Sequence, residues 1–202
     1  MASLRKLIQF QFPLFCSVLL VAPLYSTAAP LSKPNNAIAL VNKVCSGMKD
    51  KSSCINYLKS NPKVMAAAAT SKPLEFALAI LQSAVDQSKN THSYLSKHKR
   101  GKLSPQAIEA YALCKTYWDE VASGLEGNLK VIKKDKGYAS DTSDYDLKVT
   151  LDNATSCATG LANAQIQDPE IAKGLNNTQM AVGAADTILE GLKPPKKLNI
   201  KL

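Results

Sequence analysis

Four cysteines constrain this chain more than any other feature. Cys45, Cys54, Cys114 and Cys157 all follow an N-terminal stretch patterned for export, while Cys16 lies inside that stretch and would leave with it. An even cysteine count in an exported chain points to disulfides, and four cysteines allow three connectivities. The Cys45/Cys54 gap is short enough to close a local turn, which leaves Cys114 with Cys157. On the chain-entropy model the small loop would contribute roughly 2.7 kcal/mol and the larger one about 4 kcal/mol. A zinc site is the competing use of four cysteines. It would need paired C-x-x-C spacings and histidines placed to complete the ligand set, which this chain lacks, so no metal or cofactor is expected.

The export signal is local and physical. Arg5 and Lys6 give a positive start, and an apolar run from Leu7 to Leu24 follows, interrupted by Gln9, Gln11, Pro13 and Pro23. Ser26 and Ala28 then fit the small-residue positions of a signal-peptidase site. Residues 1–28 therefore read as a signal peptide, and the protein as secreted. The run is too short and too broken for a spanning helix, which needs about 20 predominantly apolar residues. Nothing at the C-terminus resembles a lipid-anchor or retention signal. The remaining length suits one domain with a sizeable core.

Past the leader, the apolar pattern is helical nearly throughout. Asn35-Asn36 can cap a helix carrying Ile38, Leu40, Val41 and Val44. Cys54 to Leu58 reads as a second short turn, and Asn61-Pro62 ends this hairpin over 35–62. The segment Ala66–Ala69 reads as a helical linker. Leu74, Leu78, Leu81 and Val85 then mark a long helix opened by Pro73 and running towards His98. After the basic loop Lys99–Lys102, Ser104-Pro105 opens another helix, with Tyr111, Cys114, Trp118, Val121, Leu125, Leu129 and Ile132 on its stripe. Leu147, Leu151, Ala154, Ala158 and Leu161 mark a third, preceded by Asp141, Asp144 and Asp146, acids that suit a helix N-terminus. Gln165–Glu170 reads as a loop, and Met180, Ala184 and Ile188 mark a fourth helix ending at Gly191. The expected fold is all-α: an antiparallel up-and-down four-helix bundle over 73–192, preceded by the short helical hairpin and held by two disulfides.

Charge and chemistry exclude several classes of function. The chain carries 25 Lys+Arg against 16 Asp+Glu, a formal net charge of +9, of which two units leave with the leader. Lys193, Lys196, Lys197 and Lys201 fall in the tail 193–202, which contains no acid. A nucleic-acid binder would spread its charge along a groove and interleave aromatics, so none is expected as a partner. A basic tail can instead touch pectate, a polyanion, by Coulomb attraction, or remain a solvated tail. The histidines, His92 and His98, do not share a helix face well, and no nucleophile–base pattern, P-loop or dinucleotide fingerprint is present, so no catalytic residues are expected. Trp118 falls on an apolar stripe and reads as core. The patterns Asn153-Ala154-Thr155 and Asn176-Asn177-Thr178 are acceptors for N-linked glycans in a secreted chain.

The ordered set of leader, Val41-x3-Cys45-x8-Cys54-x3-Leu58, Ala112-Leu113-Cys114 with Trp118, Glu120, Val121 and Leu125, and Leu151 to Cys157 followed by Gly160-Leu161 resembles the plant invertase/pectin methylesterase inhibitor family. The resemblance covers about 38–192, making 29–192 the inhibitor domain. Lys136 to Ser140 is similar to a segment common in the family's pollen-allergen-like branch. There are departures: Trp118 stands where Tyr is usual, Lys148-Val149-Thr150 replaces a run of small residues, and the basic tail is extra. Where invertase inhibitors are associated with Pro-Lys-Phe, this chain has Lys136-Gly137-Tyr138.

The resemblance implies a protein inhibitor, not an enzyme, whose rigid bundle docks 1:1 over the carbohydrate-binding cleft of its target in the plant cell wall. Pre-organisation by helices and disulfides lowers the ordering cost of such binding. The expected partner is pectin methylesterase, with acid invertase as the alternative and a non-inhibitory pectate-binding role as a third. Lys136, Gly137 and Tyr138 are the candidate contacts for an invertase.

Overall fold

Five of the helices begin at a proline, where the missing N–H costs nothing and the fixed φ suits the first turn. The computed structural model describes residues 34–97, 101, 103–137 and 141–192, all within the unit that begins at Leu31. The expected leader, His98, most of the loop at 99–102, Tyr138 and the basic tail lie outside the described residues. Among those described, the elements are α1 (Pro34–Val44), a 3-10 turn (Cys45–Gly47), α2 (Lys51–Ser60), α3 (Pro62–Ala69), α4 (Pro73–Lys97), α5 (Pro105–Asp135), α6 (Asp141–Asn163) and α7 (Pro169–Glu190). No helix among them is long and apolar enough to cross a membrane.

Side-chain caps fix several starts. Asp50 accepts from Ser53 N–H at the head of α2, Asn61 from Lys63 and Val64 at α3, Ser104 from Ala107 at α5, and Asp168 from Glu170 and Ile171 at α7. Each satisfies N–H groups that the first helical turn leaves orphaned.

The four long helices form the expected bundle. Cys114 of α5 is bonded to Cys157 of α6, while Gly124, further along α5, touches Thr150, earlier in α6, so these helices run antiparallel. Tyr94 reaches Asp168, Thr91 meets Gly174 and Gln87 bonds Asn177, which sets α4 antiparallel to α7. Lys89 pairs with Glu126 across α4 and α5. Packing is extensive for α5–α6, α4–α7 and α4–α5, and much thinner for α6–α7. The core holds Phe76, Ile80, Leu81, Trp118, Leu125, Ile132, Leu147 and Leu189, all almost wholly buried. Trp118 is a core residue, as its stripe position predicts.

Details at the N-terminal end differ from the sequence-based expectation. α1 starts at Pro34, so Asn35 and Asn36 lie in its first turn instead of capping it. The Cys45–Cys54 bridge does pin α1 to α2, with Cα atoms 5.8 Å apart. Ala66–Ala69 is helical, as read, but belongs to a longer helix, α3, whose Val64 and Ala68 are buried and which packs on α1 and α4. The reason is that Asn61-Pro62 both stops α2 and starts α3, a cap and an N1 proline in one dipeptide. The helix expected to follow the acids at 141–146 includes them, since α6 begins at Asp141, and α7 likewise takes in Pro169 and Glu170.

Candidate functional site

The turn between α5 and α6 ends a 31-residue helix whose last turns are basic and exposed. Lys130, Lys133, Lys134 and Lys136 are all solvent-exposed, and Lys133 and Lys134 stand where the helix C-terminus favours cations. The helix stops because Lys136 turns left-handed, at φ 58°, with its N–H still bonded to the Ile132 carbonyl. Gly137 follows at φ 138° and its N–H bonds the same carbonyl at 3.0 Å. A side chain there would meet nothing within 4 Å, so glycine is required by backbone conformation and not by space. The structure thus places Lys136 outward at the tip of the bundle and Gly137 buried behind it. Tyr138, the third candidate contact, lies outside the described residues.

An exposed apolar edge leads away from this turn. Leu113, Gly124 and Val131 are spaced by 11 and 7 residues, close to whole turns, so they share one stripe of α5. Gly124 touches Thr150, so this stripe borders α6. Leu113 is 50% exposed, Val131 45%, and Val149 on α6 42%. Burying such side chains in a partner would contribute up to about 1.5–3 kcal/mol each. The spacing signals helix faces, but leaves open which apolar residues stay outside the core.

The other singled-out residues are spread over the molecule. Asn153 is half-buried on α6 and Asn176 exposed on α7. His92 is half-buried on α4. Three carboxylates, Asp144, Asp186 and Glu190, converge where α6 meets α7, with one oxygen of each within 4.8 Å of the others. Sequence reasoning did not find this cluster. The i,i+4 pair Asp186/Glu190 was legible, but its meeting with Asp144 is tertiary. Lys148 bonds Asp144 at 2.6 Å, and the three acids together hold its ammonium pKa above the ordinary range, the Asp144 bond contributing most. The cluster is an acidic seam to which Lys148 is bonded as a counter-ion.

Comparison with known proteins agrees with this architecture. A search of curated protein sequences found no match. Among solved structures, the chain is similar to a mutant form of a pectin methylesterase inhibitor from Arabidopsis, with a TM-score of 0.63 at 18% identity, covering 74% of this chain and 95% of that one. That identity is low enough for the likeness to speak for the fold alone. The family profile described as plant invertase/pectin methylesterase inhibitor matches residues 39–189, from α1 to the end of α7. With both cysteine pairs bonded, the bundle closed and the profile spanning most of the sequence, the chain belongs to the plant invertase/pectin methylesterase inhibitor family.

Proposed function

We propose that this chain is a secreted inhibitor of pectin methylesterase, which it blocks by docking 1:1 over the enzyme's substrate cleft. The observation that carries the reading is the family match across residues 39–189. The fold likeness to an inhibitor of that enzyme is consistent with it. The docking surface is the α5–α6 edge: the basic tip at Lys133, Lys134 and Lys136, and the exposed Leu113, Val131 and Val149. On this surface the exposed apolar residues supply affinity and the lysines supply steering towards acidic groups on the target. The leader places the protein in the cell wall, and the basic tail at 193–202 adds a contact to pectate.

The second reading, inhibition of an acid invertase, is favoured by the outward placement of Lys136 at the tip. Titration separates the two. Purified protein with its disulfides intact is added to a plant pectin methylesterase and, separately, to an acid invertase, at mildly acid pH. Loss of esterase activity that saturates near a 1:1 ratio, with invertase untouched, is the expected result. Invertase inhibition abolished by Lys136→Ala would instead make the tip the centre of an invertase mechanism. No effect on either enzyme would leave the fold and remove the inhibitory function. Retention on pectate that survives deletion of 193–202 would remove the role of the tail.

A further inference from the structure

One hydroxyl in the bundle core is unused by the fold. Five other buried polar side chains accompany it, and four of them, Ser83, Ser88, Thr91 and Thr150, donate to a backbone carbonyl about one turn earlier. Thr178 on α7 is fully buried, and its Oγ1 meets no partner. Burying a hydroxyl without a hydrogen bond opposes folding, and valine has nearly the same shape without that cost. The folded state gives this hydroxyl no hydrogen-bonding role. Thr178 is the third residue of Asn176-Asn177-Thr178, the acceptor pattern for N-linked glycans, in which the hydroxyl is read on the unfolded chain.

The folded structure gives that asparagine a seat. Asn176 is exposed on α7 and lines an open cleft of about 350 Å3 together with Ser53, Asn56, Tyr57 and Ser60 of α2 and Lys173 of α7. The half-buried Tyr57 is fixed from behind by its hydroxyl, 3.1 Å from Ser83 Oγ. An immobilised aromatic ring flanked by amide and hydroxyl groups is a surface on which a sugar can pack and hydrogen-bond. The other acceptor pattern lies on α6. Asn153 lies three residues after Thr150 and four before Cys157, both of which face α5, and it is half-buried. Its partner Thr155 is exposed and bonds the Leu151 carbonyl.

We propose that Asn176 carries an N-linked glycan whose first sugars seat against Tyr57 in the α2–α7 cleft. The step attaches the Asn176 amide nitrogen to the anomeric carbon of a lipid-pyrophosphate-linked oligosaccharide. A C–N bond forms, the sugar C–O bond to pyrophosphate breaks, the nitrogen loses one proton, and the lipid pyrophosphate leaves. It precedes folding, because Thr178 is inaccessible afterwards. The proposal rests on the reading of the chain as secreted.

The test is expression of the full chain with its own leader in plant cells, followed by glycopeptide mass spectrometry of the secreted protein. A glycan at Asn176 is expected. Thr178→Val should abolish it and yield a protein at least as stable as enzymatically deglycosylated wild type. Trimming to the first sugar should preserve the melting temperature, and complete removal should lower it by about 2 °C or more. A secreted chain with Asn176 bare, a Thr178→Val protein less stable than the deglycosylated wild type, or a melting temperature indifferent to the first sugar would each overturn the proposal. A chain retained in the cell with its leader uncleaved would instead overturn the secretion reading beneath it.

Discussion

The α4–α7 and α5–α6 pairs solve one packing problem in two ways. Each brings a glycine of one helix against a threonine of the other: Gly174 against Thr91, and Gly124 against Thr150. In both, the threonine hydroxyl bonds back to its own helix, to Gln87 and Asp146 respectively, which fixes its rotamer and makes it a rigid knob. The pairs then diverge. α5–α6 is bonded covalently through Cys114 and Cys157 and leaves an apolar edge exposed. α4–α7 has no covalent link. It relies on small residues such as Ala84, Ser88, Ala181, Ala184 and Ala185 and on the N-terminal helices packed against it. The pair proposed to meet a partner is the one that combines extensive packing and a covalent link with an exposed apolar edge.

The largest test of that contrast is removal of each bridge in turn. Cys114→Ala with Cys157→Ala should cost about 4 kcal/mol, and Cys45→Ala with Cys54→Ala about 2.7 kcal/mol, from the loop lengths. Equilibrium urea unfolding measures both, provided the slope m is unchanged. A smaller loss for the α5–α6 bridge than for the α1–α2 bridge would break the comparison.

Asp168→Ala comes next. Its carboxylate caps α7 through the N–H groups of Glu170 and Ile171 and also accepts from Tyr94 at 3.1 Å and Tyr111 at 3.2 Å. One side chain thus ties α4, α5 and α7 together at the end of the bundle. Losing the cap and two tyrosine partners should cost about 2–3 kcal/mol. A loss below about 1 kcal/mol would mean that α4–α7 is held by apolar packing alone.

Gly174→Ala should follow at about 1–2 kcal/mol, because the added methyl collides with Thr91 Oγ1 and lies 3.1 Å from its Cγ2. The helix propensity gained, about 1 kcal/mol, offsets part of the strain. Gly124→Ala meets Thr150 at 2.9 Å and 3.0 Å, a milder overlap at its closest point, and should cost less. Equal losses would show that the two glycine contacts are equally tight in solution.

The smallest effect is the pH dependence of the Lys89–Glu126 ion pair joining α4 to α5. The hydrogen bond from Lys89, then its charge, holds the Glu126 carboxyl below its ordinary pKa of 4.5. Its stabilisation is therefore present above pH 4.5 and is lost as pH falls through the lower folded value. Glu126→Gln should flatten the acid limb by lowering stability slightly above pH 4.5 and leaving the acid end unchanged, a small effect because both side chains are partly exposed. An unchanged acid limb would assign that slope to other carboxylates.

Much of this was legible beforehand because it depends on local chemistry. The stripe from Tyr111 to Ile132, the caps at Ser104 and Asn61, and the helical pattern are short-range facts. The pairing of Cys45 with Cys54 follows from a short loop. Less legible was α3, because Ala66–Ala69 has no periodic contrast to mark a buried face, although Ala68 is buried. The exposed edge of Leu113, Val131 and Val149 was hidden for the opposite reason: these apolar residues look like core until the bundle shows which side they face.

By itself, the sequence determined the helices, their order and their covalent links, because propensity, capping and loop closure act over a few residues. The tertiary structure alone decided which stripes meet. It brought Asp144 beside Asp186 and Glu190, set Gly174 against Thr91, placed Asn176 and Tyr57 around one cleft, and buried the hydroxyl of Thr178 without a partner. Those outcomes depend on the rotation of each helix about its axis, which is fixed only when all four helices pack at once.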